Sequence, residues 1–136
     1  AIPSNLLQIP NSRSTGPYEV ACDLVGAERH PARFPNKLPE FFIRFLTNPG
    51  DIVLDIFSGS NTTGEVAEKE GRRWLAFEER LDYVAASSLR FVDPSDKDAL
   101  IRTYRQVMAG KNAYIEHPSF SPPAFPLAKS APSLEI

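Results

Sequence analysis

The chemistry-bearing part of this chain is a turn of small residues between two acids. Asp55 closes the apolar run Ile52-Val53-Leu54 and leads, through Ile56-Phe57, into Ser58-Gly59-Ser60-Asn61-Thr62-Thr63-Gly64; further on, Glu78 closes Trp74-Leu75-Ala76-Phe77. Small side chains let a ligand approach the loop backbone, and a helix that starts there presents free amide groups. A phosphate loop would place lysine and a hydroxyl residue after its second glycine, whereas Gly64 is followed by Glu65-Val66. The three spaced glycines of a dinucleotide loop are absent as well. An acid at the strand end disfavours a phosphate beside it and suits a cationic group. S-adenosylmethionine, which carries an ammonium and a sulfonium, has that chemistry. An acid ending the next strand normally takes two ribose hydroxyls with its two oxygens.

The elements that would position these groups follow from periodicity. Ile52 to Ile56 is apolar on both faces, as expected of a central parallel strand. Thr62 to Glu70 reads as a helix closed by Gly71, and Trp74 to Phe77 as a second strand reaching Glu78. Upstream, Phe41, Phe42, Phe45 and Leu46 mark one face of a helix from Glu40 to Thr47, ended by the turn Asn48-Pro49-Gly50. Downstream, Leu81 to Phe91 and Ser95 to Ala109 read as helices, with Ser95 as N-cap of the second. Residues 1 to 29, broken by Pro3, Pro10, Gly16 and Pro17, read as an extended, loop-rich arm. Residues 30 to 110 form the cofactor-binding subdomain, and the proline-rich stretch 111 to 136 a mobile tail or an arm lying on a partner. The expected fold class is α/β, a mostly parallel sheet with flanking helices and its ligand at the strand carboxyl ends. Two strands alone are marginal, and the first would present an open apolar edge. The chain therefore calls for a partner, whether the other half of the same protein, a separate subunit or a second copy of itself.

The string Asp55-Ile56-Phe57-Ser58-Gly59-Ser60-Asn61-Thr62-Thr63-Gly64 resembles the cofactor loop of the beta group of DNA amino-methyltransferases, which usually reads D-P-F-x-G-S-G-T-T. The run His30-Pro31-Ala32-Arg33-Phe34-Pro35-Asn36-Lys37-Leu38-Pro39-Glu40-Phe41-Phe42-Ile43 resembles the same family's second cofactor motif, and Trp74-Leu75-Ala76-Phe77-Glu78 its next strand with the ribose-binding acid. The resemblance covers residues 1 to about 92 and points to the cytosine-N4-specific members. It implies a partial Rossmann-like methyltransferase fold, S-adenosyl-L-methionine as cofactor and double-stranded DNA as substrate. The implied site comprises His30, Pro31, Arg33, Phe34, Asp55, Phe57, Ser58, Gly59, Ser60, Asn61, Thr62 and Glu78, with His30 and Pro31 shaping the methionine end. Asn5 resembles a family residue near the same pocket.

In this family the catalytic tetrapeptide, S-P-P-F or S-P-P-Y in cytosine enzymes, and the target-recognition region precede the motifs found here. The chain thus resembles the C-terminal, cofactor-binding part, and the resemblance implies an N-terminal catalytic half, in the same gene or as a separate subunit, as partner. By the same resemblance a cytosine is flipped from the duplex, and its amino nitrogen attacks the sulfonium methyl directly. Ser121-Pro122-Pro123 is a weak alternative catalytic motif, because Ala124 stands where an aromatic must stack on the base.

Each site residue also has a plainer reading. Asp55 could cap a helix, Glu78 could be a surface acid beside Glu79 and Arg80, Phe57 could be core or cover an adenine face, and Thr62 and Thr63 could serve only as caps. His30 is more often a structural hydrogen bonder, and Arg33 could face the cofactor carboxylate or a DNA phosphate. The chain is 42% hydrophobic and 24% charged with net charge −2, an ordinary globular balance. The slightly acidic balance lends nothing to DNA binding, which usually needs a basic face. No apolar run approaches the ~20 residues of a membrane span, no secretory signal is visible, and the single Cys22 fits a reducing cytoplasm. Two histidines are too few for a usual metal site. The expected function is the cofactor-binding portion of a restriction-modification DNA methyltransferase that methylates cytosine N4, inactive alone. The alternatives are a non-catalytic remnant or interaction module that keeps the fold, and a methyltransferase for small molecules or protein.

Overall fold

A computed structural model of the chain describes residues 6–10 and 16–115. Helix α1 (Pro17–Val25) and helix α2 (Lys37–Leu46) precede strand β1 (Ile52–Asp55). Helix α3 (Thr62–Lys69) then crosses to strand β2 (Arg73–Ala76), and helix α4 (Leu81–Ser88), a 3-10 turn (Leu89–Phe91) and helix α5 (Lys97–Met108) follow.

The two strands pair in parallel, with Ile52 opposite Arg73 and Asp55 opposite Ala76. Beyond the strand ends the ladder continues through Phe77 N to Asp55 O and Ser58 N to Phe77 O, both 2.9 Å. One face of this sheet is covered. Val53 and Trp74 pack there with Ile43 of α2 and Val66 and Ala67 of α3. The Trp74 indole donates to Glu68 at 3.0 Å and stacks on Phe91. The opposite face, which carries Ile52 (58% exposed), Leu54 (59%), Ile56, Leu75 and Phe77, is open among the described residues. The sequence pattern of a strand buried on both faces is therefore satisfied on one.

A second core lies beside the sheet. Tyr18, Ala21 and Cys22 of α1 pack against Ala86, Leu89, Val92 and Leu100 from α4, the 3-10 turn and α5. This corrects the expectation of an extended arm to residue 29. Gly16 and Pro17 do not break a helix but start one: proline at the first helical position loses only an amide hydrogen that would have no intrahelical partner, and Gly16 N donates to the Glu19 side chain at 2.9 Å. Gly26, with φ +69°, ends it in the left-handed cap conformation. A smaller correction concerns α5, whose N-cap is Asp96 rather than Ser95. The Asp96 carboxylate accepts from Ala99 N at 2.9 Å, while Ser95 binds Asp93.

Candidate functional site

The carboxyl ends of two parallel strands meet one loop here. β1 delivers Asp55, whose Oδ1 accepts from Phe57 N at 3.0 Å and turns the chain away from the sheet. The loop then passes through two left-handed residues, Gly59 (φ +51°) and Asn61 (φ +54°). Asn61 stands where the family pattern has glycine and keeps the conformation glycine would take; Asn tolerates it because its short side chain bonds locally. Its Oδ1 accepts from Gly64 N at 3.0 Å, so Asn61, and not Thr62 or Thr63, caps α3.

β2 delivers Glu78 to the same loop. Glu78 Oε2 accepts from Gly59 N at 2.9 Å, and its Oε1 accepts from Arg80 N at 3.0 Å. Both oxygens thus already hold backbone, and each retains a lone pair for a further donor. The two acids flank a loop in which a side chain at Gly59 would be strained. A Cβ built there would come within 3.1 Å of the His30 ring, and the backbone is left-handed besides. His30 lies against the loop in turn. Its Nδ1 is 2.8 Å from Ala32 O, and since a carbonyl only accepts, the hydrogen is on Nδ1. The ring meets Tyr83 edge-on at 4.5 Å.

The structure brings together His30, Asp55, Ser58, Gly59, Ser60, Asn61, Thr62 and Glu78 around this loop. Phe57 is 85% exposed among the described residues. Pro31 is exposed. Phe34 lies with Asp55 along a cleft of about 480 Å³ that α2 and β1 enclose with Phe42, Leu46 and Leu54. Arg33 is not a free cation. It pairs with Glu19 on α1 and lies 5.6 Å from the Tyr18 ring. Burial alone would raise the Glu19 carboxyl, but its bonds to backbone amides and to Arg33 hold it below its ordinary value. Burial likewise pushes the Tyr18 hydroxyl and the Cys22 thiol up, leaving both neutral. Asn5 and Ser121-Pro122-Pro123 lie outside the described residues.

One residue at the loop has no counterpart among the expected ones. Arg90, in the 3-10 turn, reaches the Ser60 carbonyl through Nε at 2.5 Å and pairs with Glu65. A charge inside the apolar stretch Leu89-Arg90-Phe91-Val92 was its one sequence signal.

Parallel strands joined by a helix, with acids at their carboxyl ends around a glycine loop, define a class of nucleoside-cofactor protein. A DNA methylase family profile matches residues 3–88, and the chain belongs to that family of N6/N4 DNA methyltransferases. It is 54% identical over 113 residues to the type II methyltransferase M.PvuII of Proteus hauseri, covering 82% of this chain and 34% of that protein. It is 46% identical over 57 residues to the DNA adenine methyltransferase YhdJ of Escherichia coli strain K12, covering 42% of this chain and 19% of that one. The solved structure of the PvuII DNA methyltransferase, described as cytosine-N4-specific, superposes with a TM-score of 0.75 at 55% identity, over 81% of this chain and 39% of its own. The fold is thus that of the PvuII enzyme, a parallel sheet with flanking helices. The chain spans about a third of the length of M.PvuII and less of YhdJ.

Proposed function

We propose that this chain forms the S-adenosylmethionine-holding part of a DNA methyltransferase that modifies cytosine N4 in a restriction-modification system. The observation that carries the reading is the bond from Gly59 N to Glu78, which joins the acid of β2 to the loop that follows the acid of β1. The acceptor set fits the cofactor: two carboxylates suit an ammonium and ribose hydroxyls, and the lack of a side chain at Gly59 lets the His30 ring close against the loop. When bound, the cofactor supplies an electrophilic methyl group on a sulfonium.

In this reading Glu78 holds the ribose with the lone pairs its backbone bonds leave over. Asp55 faces the cationic end, and His30 with Pro31 walls the methionine side. Ser58, Ser60, Asn61 and Thr62 shape the loop, Phe57 covers the adenine face, and Phe34 closes the cleft beside Asp55. Arg33 acts through Glu19 rather than on a ligand. The groups that grip and flip DNA, and the S-P-P-aromatic motif that holds the cytosine amino group, belong to the catalytic part that M.PvuII-like proteins carry beyond this matched region. The open sheet face at Ile52, Leu54 and Leu75 and the outer edge of β1 are where that part docks. A cytoplasmic setting accords with this role. Among the described residues no helix is long and apolar enough to cross a membrane.

The test is tritium transfer from labelled S-adenosylmethionine to duplex DNA by the chain with and without a polypeptide bearing the S-P-P-aromatic motif. Transfer to cytosine N4 only in the combined sample is expected. Transfer by the chain alone that disappears in Ser121→Ala would move the chemistry to residues 121–123, and absence of transfer in both samples would leave the chain a non-catalytic binding module.

A further inference from the structure

We infer that Arg90 is a positioning residue that locks the cofactor loop in its ligand-receiving shape from outside the loop. The inference rests on reading that loop as the cofactor site. The Ser60 peptide sits between two left-handed residues, Gly59, which takes that region freely, and Asn61, whose non-glycine backbone there costs free energy and persists only where the surroundings fix it. Ser60, Asn61 and Thr62 are all buried. The group that fixes Ser60 comes from thirty residues downstream.

The Arg90 side chain, 8% exposed, turns its guanidinium fork to one surface. Nε donates to Ser60 O at 2.5 Å, while Nη2 lies 3.3 Å from Ser60 Oγ and 3.4 Å from Thr62 Oγ1. Nη1 pairs with Glu65 on the first turn of α3, whose other oxygen holds Lys69. Behind it, the guanidinium lies 4.0 Å from the centroid of the Tyr18 ring. One planar cation therefore ties together the loop carbonyl, the first residues of α3 and the core that α1 builds. A lysine, with a single ammonium, could not span Ser60 and Glu65 in this geometry. These bonds end on Ser60, Thr62 and Glu65 and not on Asp55 or Glu78, so Arg90 acts on affinity through the shape of the loop at Ser60 and the left-handed turns on either side of it.

The experiment measures S-adenosylmethionine binding calorimetrically for the 136-residue chain and its Arg90→Ala, Arg90→Lys and Val92→Ala variants, each well below its own melting temperature. Val92 is buried in the same core but makes none of these loop bonds. Arg90→Ala should weaken binding ten-fold or more, and methylguanidinium at tens of millimolar should recover most of the loss where methylammonium does not. Arg90→Lys should also bind several-fold more weakly while melting close to wild type. Val92→Ala should melt lower with an unchanged dissociation constant. Should Arg90→Ala not fold, the Arg90→Lys arm decides alone. Wild-type affinity in either Arg90 variant, or an affinity loss in Val92→Ala matching that of Arg90→Ala, overturns the positioning role while leaving the cofactor reading intact. No binding by wild type overturns the cofactor reading itself and the inference with it.

Discussion

Replacing Glu78 with glutamine separates the two tasks this side chain has in the proposed site. In the free protein its two oxygens accept from Gly59 N and Arg80 N at 2.9 and 3.0 Å. A glutamine has one oxygen and one amino group, so in either orientation an amino group faces one of those two amides, donor against donor. Glu78 is only half-buried, so water can take over the displaced amide and the stability loss should be about 1 kcal/mol, the low end for an unmade hydrogen bond. The bonds to ribose exist only in the complex and therefore enter the affinity alone. A hydrogen bond to an ionised group contributes roughly 1.5–3 kcal/mol. Converting even one such bond to a neutral one raises the dissociation constant by about ten-fold, since about 1.4 kcal/mol corresponds to that factor. Urea unfolding reads the first quantity and calorimetric titration with S-adenosylmethionine the second. An unchanged dissociation constant together with lowered stability would show that Glu78 serves only to hold the loop, and would refute the ribose assignment.

Three further outcomes follow from the same geometry. Asp55→Ala should abolish measurable cofactor binding with little change in circular dichroism, because the bond its side chain makes among the described residues is the local turn to Phe57 N; equal affinity in the variant would remove Asp55 from the site. The Tyr18 hydroxyl lies beside the Cys22 thiol but makes no hydrogen bond of normal geometry among the described residues. Tyr18→Phe, which keeps the ring under Arg90, should therefore leave stability unchanged or raise it by up to about 1 kcal/mol in urea unfolding, and a clear loss would reveal a partner for the hydroxyl. Glu19 titrates lower in the folded than in the unfolded chain, so its contribution is present above the ordinary value of 4.5 and fades as pH falls through the folded value. The stability difference between wild type and Glu19→Gln should accordingly be constant near neutrality and shrink below pH 4.5; a difference independent of pH would show that the Arg33 pair does not depress it.

The β1, loop, α3 and β2 unit was legible because its signals are local: aliphatic runs, small residues in the turn, Gly71 at the end of a helix. The site residues contributed by that unit, Asp55, Gly59, Asn61 and Glu78, are those whose place in it follows from position along the chain. What sequence reading missed depends on contacts between distant segments. Tyr18, Ala21, Cys22 and Val25 carry helical spacing, but Gly16 and Pro17 read locally as breakers, although the same pair also begins helices. Arg33 looked like the free cation of its loop because nothing in the neighbouring sequence shows that Glu19 comes round to meet it. Arg90 is the extreme case, since its partner Ser60 lies thirty residues away. The strand Ile52 to Ile56 departs in the opposite direction, patterned for burial on both faces while its Ile52, Leu54 and Ile56 side stands open. Burial contributes roughly 25 cal/mol per Å² of apolar surface, so a side chain such as Leu54 gains about 1.5–3 kcal/mol only when something covers it. In the proposed reading the catalytic part covers it, and the apolar run of β1, with no polar alternation across Ile52-Val53-Leu54, is the imprint of that contact on the sequence. The open face and the proposed division of labour thus have one cause: a strand written for the middle of a sheet, of which this chain's described part supplies one neighbour.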